Sequence, residues 1–282
     1  MSVTATATAV RSGLTAGRIE TRQSLANAQD VVGMLFIPVV LLVVALLRRG
    51  SDIGGTGFSL GSTTLAGLLG MILAFNGFQA VAFNLLMERE DGTLLRAKAA
   101  PNGMIAYLIS KIVHSAATTL ITTALLLVPG VLLFDGVSLD SFGSWFTLVW
   151  VLALGMLATM PIGAVLGSVL TSPRNISVVM FPLLALFGIS GIFFPMTEAP
   201  EWLQWIAQVF PVYWLGLGMR AALLPDAFAA VEIGDSWRYV ETFCVLGAWT
   251  AIGFLLAPVV LRRMARKESG SAVAERRKAS MQ

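Results

Sequence analysis

Residues 31–47 read VVGMLFIPVVLLVVALL, a stretch with no charged or hydrogen-bonding side chain. Further blocks of the same character lie at about residues 65–86, 112–134, 145–170, 176–194 and 240–261. As a helix rising ~1.5 Å per residue, a run of about 20 apolar residues crosses the ~30 Å hydrocarbon layer of a bilayer. Composition agrees. The chain of 282 residues is 56% hydrophobic and 12% charged, whereas a soluble domain carries about 25% charged residues. The interior prolines Pro38, Pro129, Pro161, Pro182 and Pro258 would break soluble helices, but membrane helices tolerate them. The expected fold is an all-α integral membrane protein. A leader (residues 1–30) precedes a six-span domain (residues 31–261), and a basic tail (residues 262–282) follows.

Loop charge sets the orientation. Segments 87–111 and 171–175 fall on the same side as the two ends, and nearly all Lys and Arg lie on that side. The opposite segments hold only Arg48, Arg49, Arg220 and Arg238. Positive residues favour the cytoplasm, so both termini are expected inside. The first 22 residues do not read as a cleaved signal, because their arginines are scattered and no cleavage site follows the first apolar block. The pI near 9.3 then reflects topology and anionic lipid rather than nucleic acid, which is not expected as a partner.

One cysteine, Cys244, and one histidine, His114, exclude an internal disulfide and any Cys/His metal cluster. No Asp, Glu, Lys or Arg lies in the middle of a proposed span. A charge there costs at least ~2.5–3.5 kcal/mol and persists mainly where ion or proton coupling requires it. An ion-driven carrier is therefore disfavoured, and no inverted repeat supports one. The chain has no G-x-x-x-x-G-K-[ST] phosphate loop either. A pump built on this bundle would draw its energy from a partner docking on the inner loops.

The largest inner loop reads EREDGTLLRAKAAPN over residues 88–102. Asp91-Gly92 is a turn signal, and Thr93 can cap a short helix. Glu88, Glu90 and Asp91 precede that helix while Arg96 and Lys98 lie within it, an order that suits the helix dipole. Pro101, Asn102 and Gly103 end it. Read from the residues alone, this is either a docking helix offering Leu94 and Leu95 or a solvated connector.

After the fifth block the chain runs GIFFP over residues 191–195, then APEWLQWIAQVFPVYW over 199–214. Trp202, Trp205, Ile206 and Val209 share one helical face. Pro200 suits a helix start, and the apolar segment 212–224 is too short to span. Two short helices dipping into the outer leaflet are expected, with an aromatic belt as the plainer account of the tryptophans.

The 88–102 loop resembles that of ABC-2-type permeases, in which an acidic residue, Gly-Thr-Leu and a Pro mark a coupling helix. Its position between spans two and three strengthens the likeness. The GIFFP, APEWL and FPVYW order resembles the re-entrant hairpin before the last span of those permeases. The closest flavour is the daunorubicin-resistance-like group of bacterial drug and lipid exporters. The resemblance implies that Glu88, Arg89, Glu90, Asp91, Gly92, Thr93, Leu94, Leu95 and Pro101 couple to an ATPase subunit. It also implies that Phe194, Pro195, Pro200, Trp202, Trp205, Pro211 and Trp214 form the outer hairpin or gate. The expected assembly has two permease chains, identical or homologous, and two ATPase copies in a bacterial cytoplasmic membrane. ATP and Mg bind to the partner, and no cofactor or metal is expected in this chain. The cargo is an amphipathic, drug-like or lipid-like compound. Residues 15–30 are read as either an amphipathic connecting helix or a simple polar leader. Asn76, Gln79 and Asn84 in the second span, with Thr118 and Thr122 in the third, are candidates for the substrate path. They can equally serve as hydrogen-bond partners between helices.

Two other readings are weighed. Gly188-Ile189-Ser190-Gly191 matches the G-x-S-G motif of rhomboid intramembrane proteases, with His114 as a base. Yet His114 sits near the inner end of its span, while Ser190 lies about 14 residues into the next one but one, ~21 Å along the helix. A nucleophile and its base must approach to ~3 Å. A membrane scaffold without transport is the other alternative, and it predicts no ATPase partner.

Overall fold

The computed structural model describes residues 3–51, 59–91, 97, 99, 102–170, 177–194 and 196–267. Among them no strand forms, and nine α-helices follow one another: α1 (Val3–Ala26), α2 (Ala28–Leu47), α3 (Leu60–Asp91), α4 (Gly103–Leu133), α5 (Phe142–Val169), α6 (Ser177–Gly188), α7 (Glu201–Val209), α8 (Pro211–Leu223) and α9 (Tyr239–Lys267). Of these, α2, α3, α4, α5 and α9 are long and apolar enough to cross a membrane. The pair α7 and α8 is bent by 91° at its junction.

The helices outrun the apolar blocks. α3 starts at Leu60 and carries residues 88–91 as its last turn, and α4 starts at Gly103 rather than near Ile112. Hydropathy marks the part that lies in lipid, whereas backbone hydrogen bonding carries the helix on until a cap or turn residue stops it. Asn102 begins α4 with φ 54°, a left-handed conformation that Asn tolerates better than most residues. Residues 92–96, 98, 100 and 101, most of the expected coupling helix, lie outside the described residues.

The fifth span departs from expectation. Its described helix ends at Gly188 instead of reaching Phe194. The Ser190 hydroxyl donates to Phe187 O at 2.7 Å, and Gly191 takes φ 71°. A side chain at that φ would be strained, and a Cβ there would lie 2.4 Å from Met196 Cγ. The chain therefore turns back early toward the core.

α3 is the axis of the bundle. Its apolar window is 76% buried, against 17% for α2 and 22% for α9. Small residues let its neighbours approach. On α5, Gly155, Thr159, Gly163 and Gly167 recur every four residues on one face. A Cβ on Gly163 would sit 2.6 Å from the carbonyl oxygens of Gly77 and Phe78, and one on Gly167 2.6 Å from Ala82 Cα. Gly70 meets Gly216 of α8 backbone to backbone. Close backbone approach is what membrane helices use in place of a hydrophobic driving force.

The leader is helical from Val3, and α1 runs parallel to the start of α4. Gly13 seats against Ala106 and Ile109, and Gly17 against Ser110 and Val113. One turn further on, Glu20 pairs with Lys111 and accepts from Ser110 Oγ at 3.3 Å. Asn27 then breaks the helix and caps α2, accepting from Gln29 N at 3.0 Å.

Candidate transport cavity and hairpin

α3 and α4 face each other with polar side chains on otherwise apolar helices. Asn76 Nδ2 donates to Thr122 Oγ1 at 2.7 Å, which ties the two helices together. Thr122 also donates to Thr118 O at 2.9 Å, and Thr118 to His114 O at 3.0 Å. Those two hydroxyls thus satisfy their protons within α4 and turn oxygen lone pairs outward.

This polar face lines a cavity of about 840 Å³. All five residues proposed for the path, Asn76, Gln79, Asn84, Thr118 and Thr122, lie on its wall. The opposite wall is apolar, with Ile37, Pro38 and Leu41 of α2 and Leu184 of α6. Such a space, polar on one side and greasy on the other, suits an amphipathic guest. The Asn76–Thr122 bond makes this pair an interhelical contact as well as a lining one.

His114, inside the third span, lines it too, and four polar lining residues lie outside the spans: Glu20 and Ser24 of α1, and Gln29 and Asp30 at the start of α2. They reach the cavity because α1 docks on α4 and because the chain breaks at Asn27. The Gly13-x-x-x-Gly17 spacing in a polar leader was the available signal for that docking. His114 Nδ1 lies 3.2 Å from Thr21 Oγ1. Ser190 is buried, is not on the wall that His114 lines, and uses its hydroxyl on Phe187 O. Nucleophile and base are not brought together.

At the far end from Asp91 and Asn102, the two short helices of the hairpin have opposite fates. Pro200 caps α7 and Pro211 opens α8. Trp202, Trp205, Ile206 and Val209 of α7 are all exposed, so its apolar face turns away from the protein. Every residue of α8 is buried. Trp214 Nε1 donates to Gln208 O at 2.6 Å, and the Arg238 guanidinium lies 4.7 Å from the Trp214 ring centre. Phe194 is half-buried, and Pro195 lies outside the described residues. Residues 88–91 close α3, and the rest of the expected coupling set, Gly92, Thr93, Leu94, Leu95 and Pro101, is likewise outside them.

Sequence reasoning missed one contact here. Arg220 at the end of α8 and Glu232 are 2% and 5% exposed and pair through two hydrogen bonds, Nε to Oε1 at 2.5 Å and Nη2 to Oε2 at 3.1 Å. Arg220 Nη1 also donates to Gly191 O at 3.2 Å. One guanidinium therefore joins the turn after α6, the end of α8 and the 3-10 segment Asp226–Val231 that leads to Glu232.

An all-helical bundle of apolar spans with a bent helix pair before the last one defines a multi-pass membrane permease of the ABC-2 class. The chain belongs to that family: the model of the ABC-2 family transporter proteins matches residues 56–259. Among curated proteins it is similar to the probable doxorubicin resistance ABC transporter permease protein DrrC of Mycobacterium tuberculosis, in strains CDC 1551 / Oshkosh and ATCC 25618 / H37Rv. Identity to each is 26% over 207 residues, which covers 72% of this chain and 74% of the relative. The chain is thus a transport subunit and not itself the ATPase.

Proposed function

We propose that this permease works as one of a pair in a bacterial cytoplasmic membrane, exporting an amphipathic drug-like or lipid-like compound. Both termini face the cytoplasm. Two ATPase subunits dock on the 88–101 loop, and ATP-driven closure of those subunits moves the loops and opens the path outward. The observation that carries this reading is the cavity of about 840 Å³, with polar side chains on α3, α4 and the start of α2 and an apolar face on α6 and the body of α2, within a membrane bundle. Family membership supports the ATPase partner, and the printed name of the Mycobacterium tuberculosis relative supports a drug-like cargo.

Co-purification with a Walker-motif ATPase, followed by substitution in the loop, tests it. Leu94→Glu places a charge where an apolar partner surface is expected. It should abolish both the complex and substrate-stimulated ATP hydrolysis while leaving the permease folded in the membrane. Intact complex and stimulation in that variant would remove the loop from the coupling role.

A further inference from the structure

A second cavity lies on another face of the bundle, and none of its lining residues lines the first. α3 and α5 pack side by side and form its floor. α4 packs on α3 and α9 packs on α5, but these two outer helices barely touch each other. The gap between them is a groove of about 440 Å³. Val81 and Leu85 of α3, with Met160 and Ala164 of α5, are buried along its floor. Together with Ala257 and Leu261 of α9 they belong to an apolar cluster separate from the main core. Ala116 of α4 and Ala153 of α5 also line the groove, so methyl groups stand where larger side chains would close it.

Its length and its ends suit one lipid chain. From Ala153 to Ala164 the groove follows α5 for ~16 Å, close to the ~15 Å that is half of a bilayer's hydrocarbon layer. Among the described lining residues, only Tyr107 and Lys111 carry polar side-chain groups. Both stand near the start of α4, at the end of the groove where α9 runs past Leu261. Lys111 pairs with Glu20, and its ammonium lies 5.8 Å from the centre of the Tyr107 ring. Beyond Leu261, α9 continues as Arg262-Arg263-Met264-Ala265-Arg266-Lys267. Arg262 follows the lining residue Pro258 by one turn and Arg266 by two, while Arg263 is exposed. Acidic residues stand at this end too. Glu88, Glu90 and Asp91 close α3 with Arg89 among them, and Glu20 offsets Lys111. The basic residues outnumber them, and Lys and Arg at a helix end beside the bilayer attract anionic headgroups.

We propose that the groove binds one anionic phospholipid. An acyl chain lies between α4 and α9 on the floor of α3 and α5, and the phosphate head meets the basic end of α9. The chain supplies the contacts that α4 and α9 do not make with each other, so the bound lipid joins two helices and stabilises the bundle. The site does not depend on the transport path, because the two cavities share no lining residue. In the orientation proposed above, the lipid belongs to the cytoplasmic leaflet.

The test titrates the full-length permease, purified in a nonionic detergent, with phosphatidylglycerol or phosphatidylcholine carrying the same chains. Native mass spectrometry counts the retained lipid, and the unfolding temperature reports its effect on the fold. Phosphatidylglycerol should bind about tenfold tighter than phosphatidylcholine, with one molecule retained per chain. At saturation it should raise the unfolding temperature by about 5 °C. Ala116→Leu combined with Ala257→Leu fills the groove with apolar side chains. It should weaken both lipids about tenfold or more while the lipid-free unfolding temperature holds or rises, which separates loss of the site from misfolding. Arg262→Gln combined with Arg266→Gln should bring the two lipids to within about threefold and leave phosphatidylcholine binding nearly unchanged. Undiminished lipid binding in the filled variant overturns the site. Equal binding of the two lipids by the unaltered chain overturns the anionic head. A filled variant that keeps its lipid but loses a second copy of the chain would assign the groove to subunit contact and overturn the proposal.

Discussion

Arg220 and Glu232 lie 12 residues apart in the chain and meet almost fully out of solvent. Taking two charges out of water costs several kcal/mol per ion, and only good geometry with further hydrogen bonds offsets it. Both conditions hold, since two hydrogen bonds join the pair and Gly191 O takes a third. Removing one partner strands the other. Arg220→Ala should therefore destabilise the fold by about 3–5 kcal/mol, while Arg220→Met combined with Glu232→Leu should recover most of the loss. Thermal unfolding in detergent checks both, and a double variant as unstable as the single one would show that packing, not charge, dominates the site. From the sequence, Arg220 was legible only as a positive residue on a non-cytoplasmic segment, because its partner depends on how α8 turns. Asn76, Gln79, Asn84, Thr118 and Thr122 were legible because a polar residue on an apolar helix is conspicuous wherever the helix ends up. Glu20 and Asp30 were not, since polar residues in a polar leader carry no such contrast.

At the level of elements, α3, α4, α5 and α9 could be read from apolar blocks, though not their ends, and α6 stops short because Gly191 allows a turn that hydropathy cannot see. The crossing of α3 and α5 could not be read, because small residues serve many purposes in membrane helices. The structure shows which of them matter. A Cβ on Gly163 would strike backbone carbonyls, which cannot swing aside as a side chain can. By contrast, a Cβ on Gly247 of α9 meets nothing within 4 Å. Gly163→Ala should cost about 1–3 kcal/mol through overpacking. Gly247→Ala should be neutral or slightly stabilising, because Ala is the better helix former. The difference is measurable as a shift in detergent unfolding temperature, and similar behaviour of the two variants would mean that α3 and α5 do not cross so closely. The hairpin shows the reverse case. Its two-helix form was legible from Pro200, Pro211 and the spacing of the tryptophans, but the outward turn of Trp202 and Trp205 was not.

Seen whole, the molecule is polarised along its bundle axis. One end holds Arg48, which donates to Phe193 O at 2.7 Å, the exposed Arg49–Asp135 pair, and the hairpin. The other holds the end of α3 at Asp91, the start of α4 with α1 docked on it, and the basic end of α9. Arg48 and Arg49 are the local exception to the charge rule for orientation, and the structure gives both of them partners: Arg48 bonds a main-chain carbonyl and Arg49 a carboxylate. A charge held in such a contact is less free to act as a topology signal than the cluster of Arg262, Arg263, Arg266 and Lys267 that closes α9. The basic cluster should therefore set the orientation, with the hairpin end outside. Cysteine accessibility decides this. Cys244 is exposed, so it is first replaced by Ser to give a silent background. Ser51→Cys lies at the hairpin end on an exposed residue, where only the main chain is engaged, through Leu60 N to Ser51 O at 2.8 Å. In intact cells it should react with a membrane-impermeant maleimide. Ser280→Cys, in the basic tail, should react only after the cells are permeabilised. The opposite pattern would invert the molecule and place the 88–101 loop beyond the reach of any cytoplasmic ATPase. Labelling of both sites in intact cells would place the tail on the hairpin's side, which requires that α9, the one long apolar helix between them, does not cross.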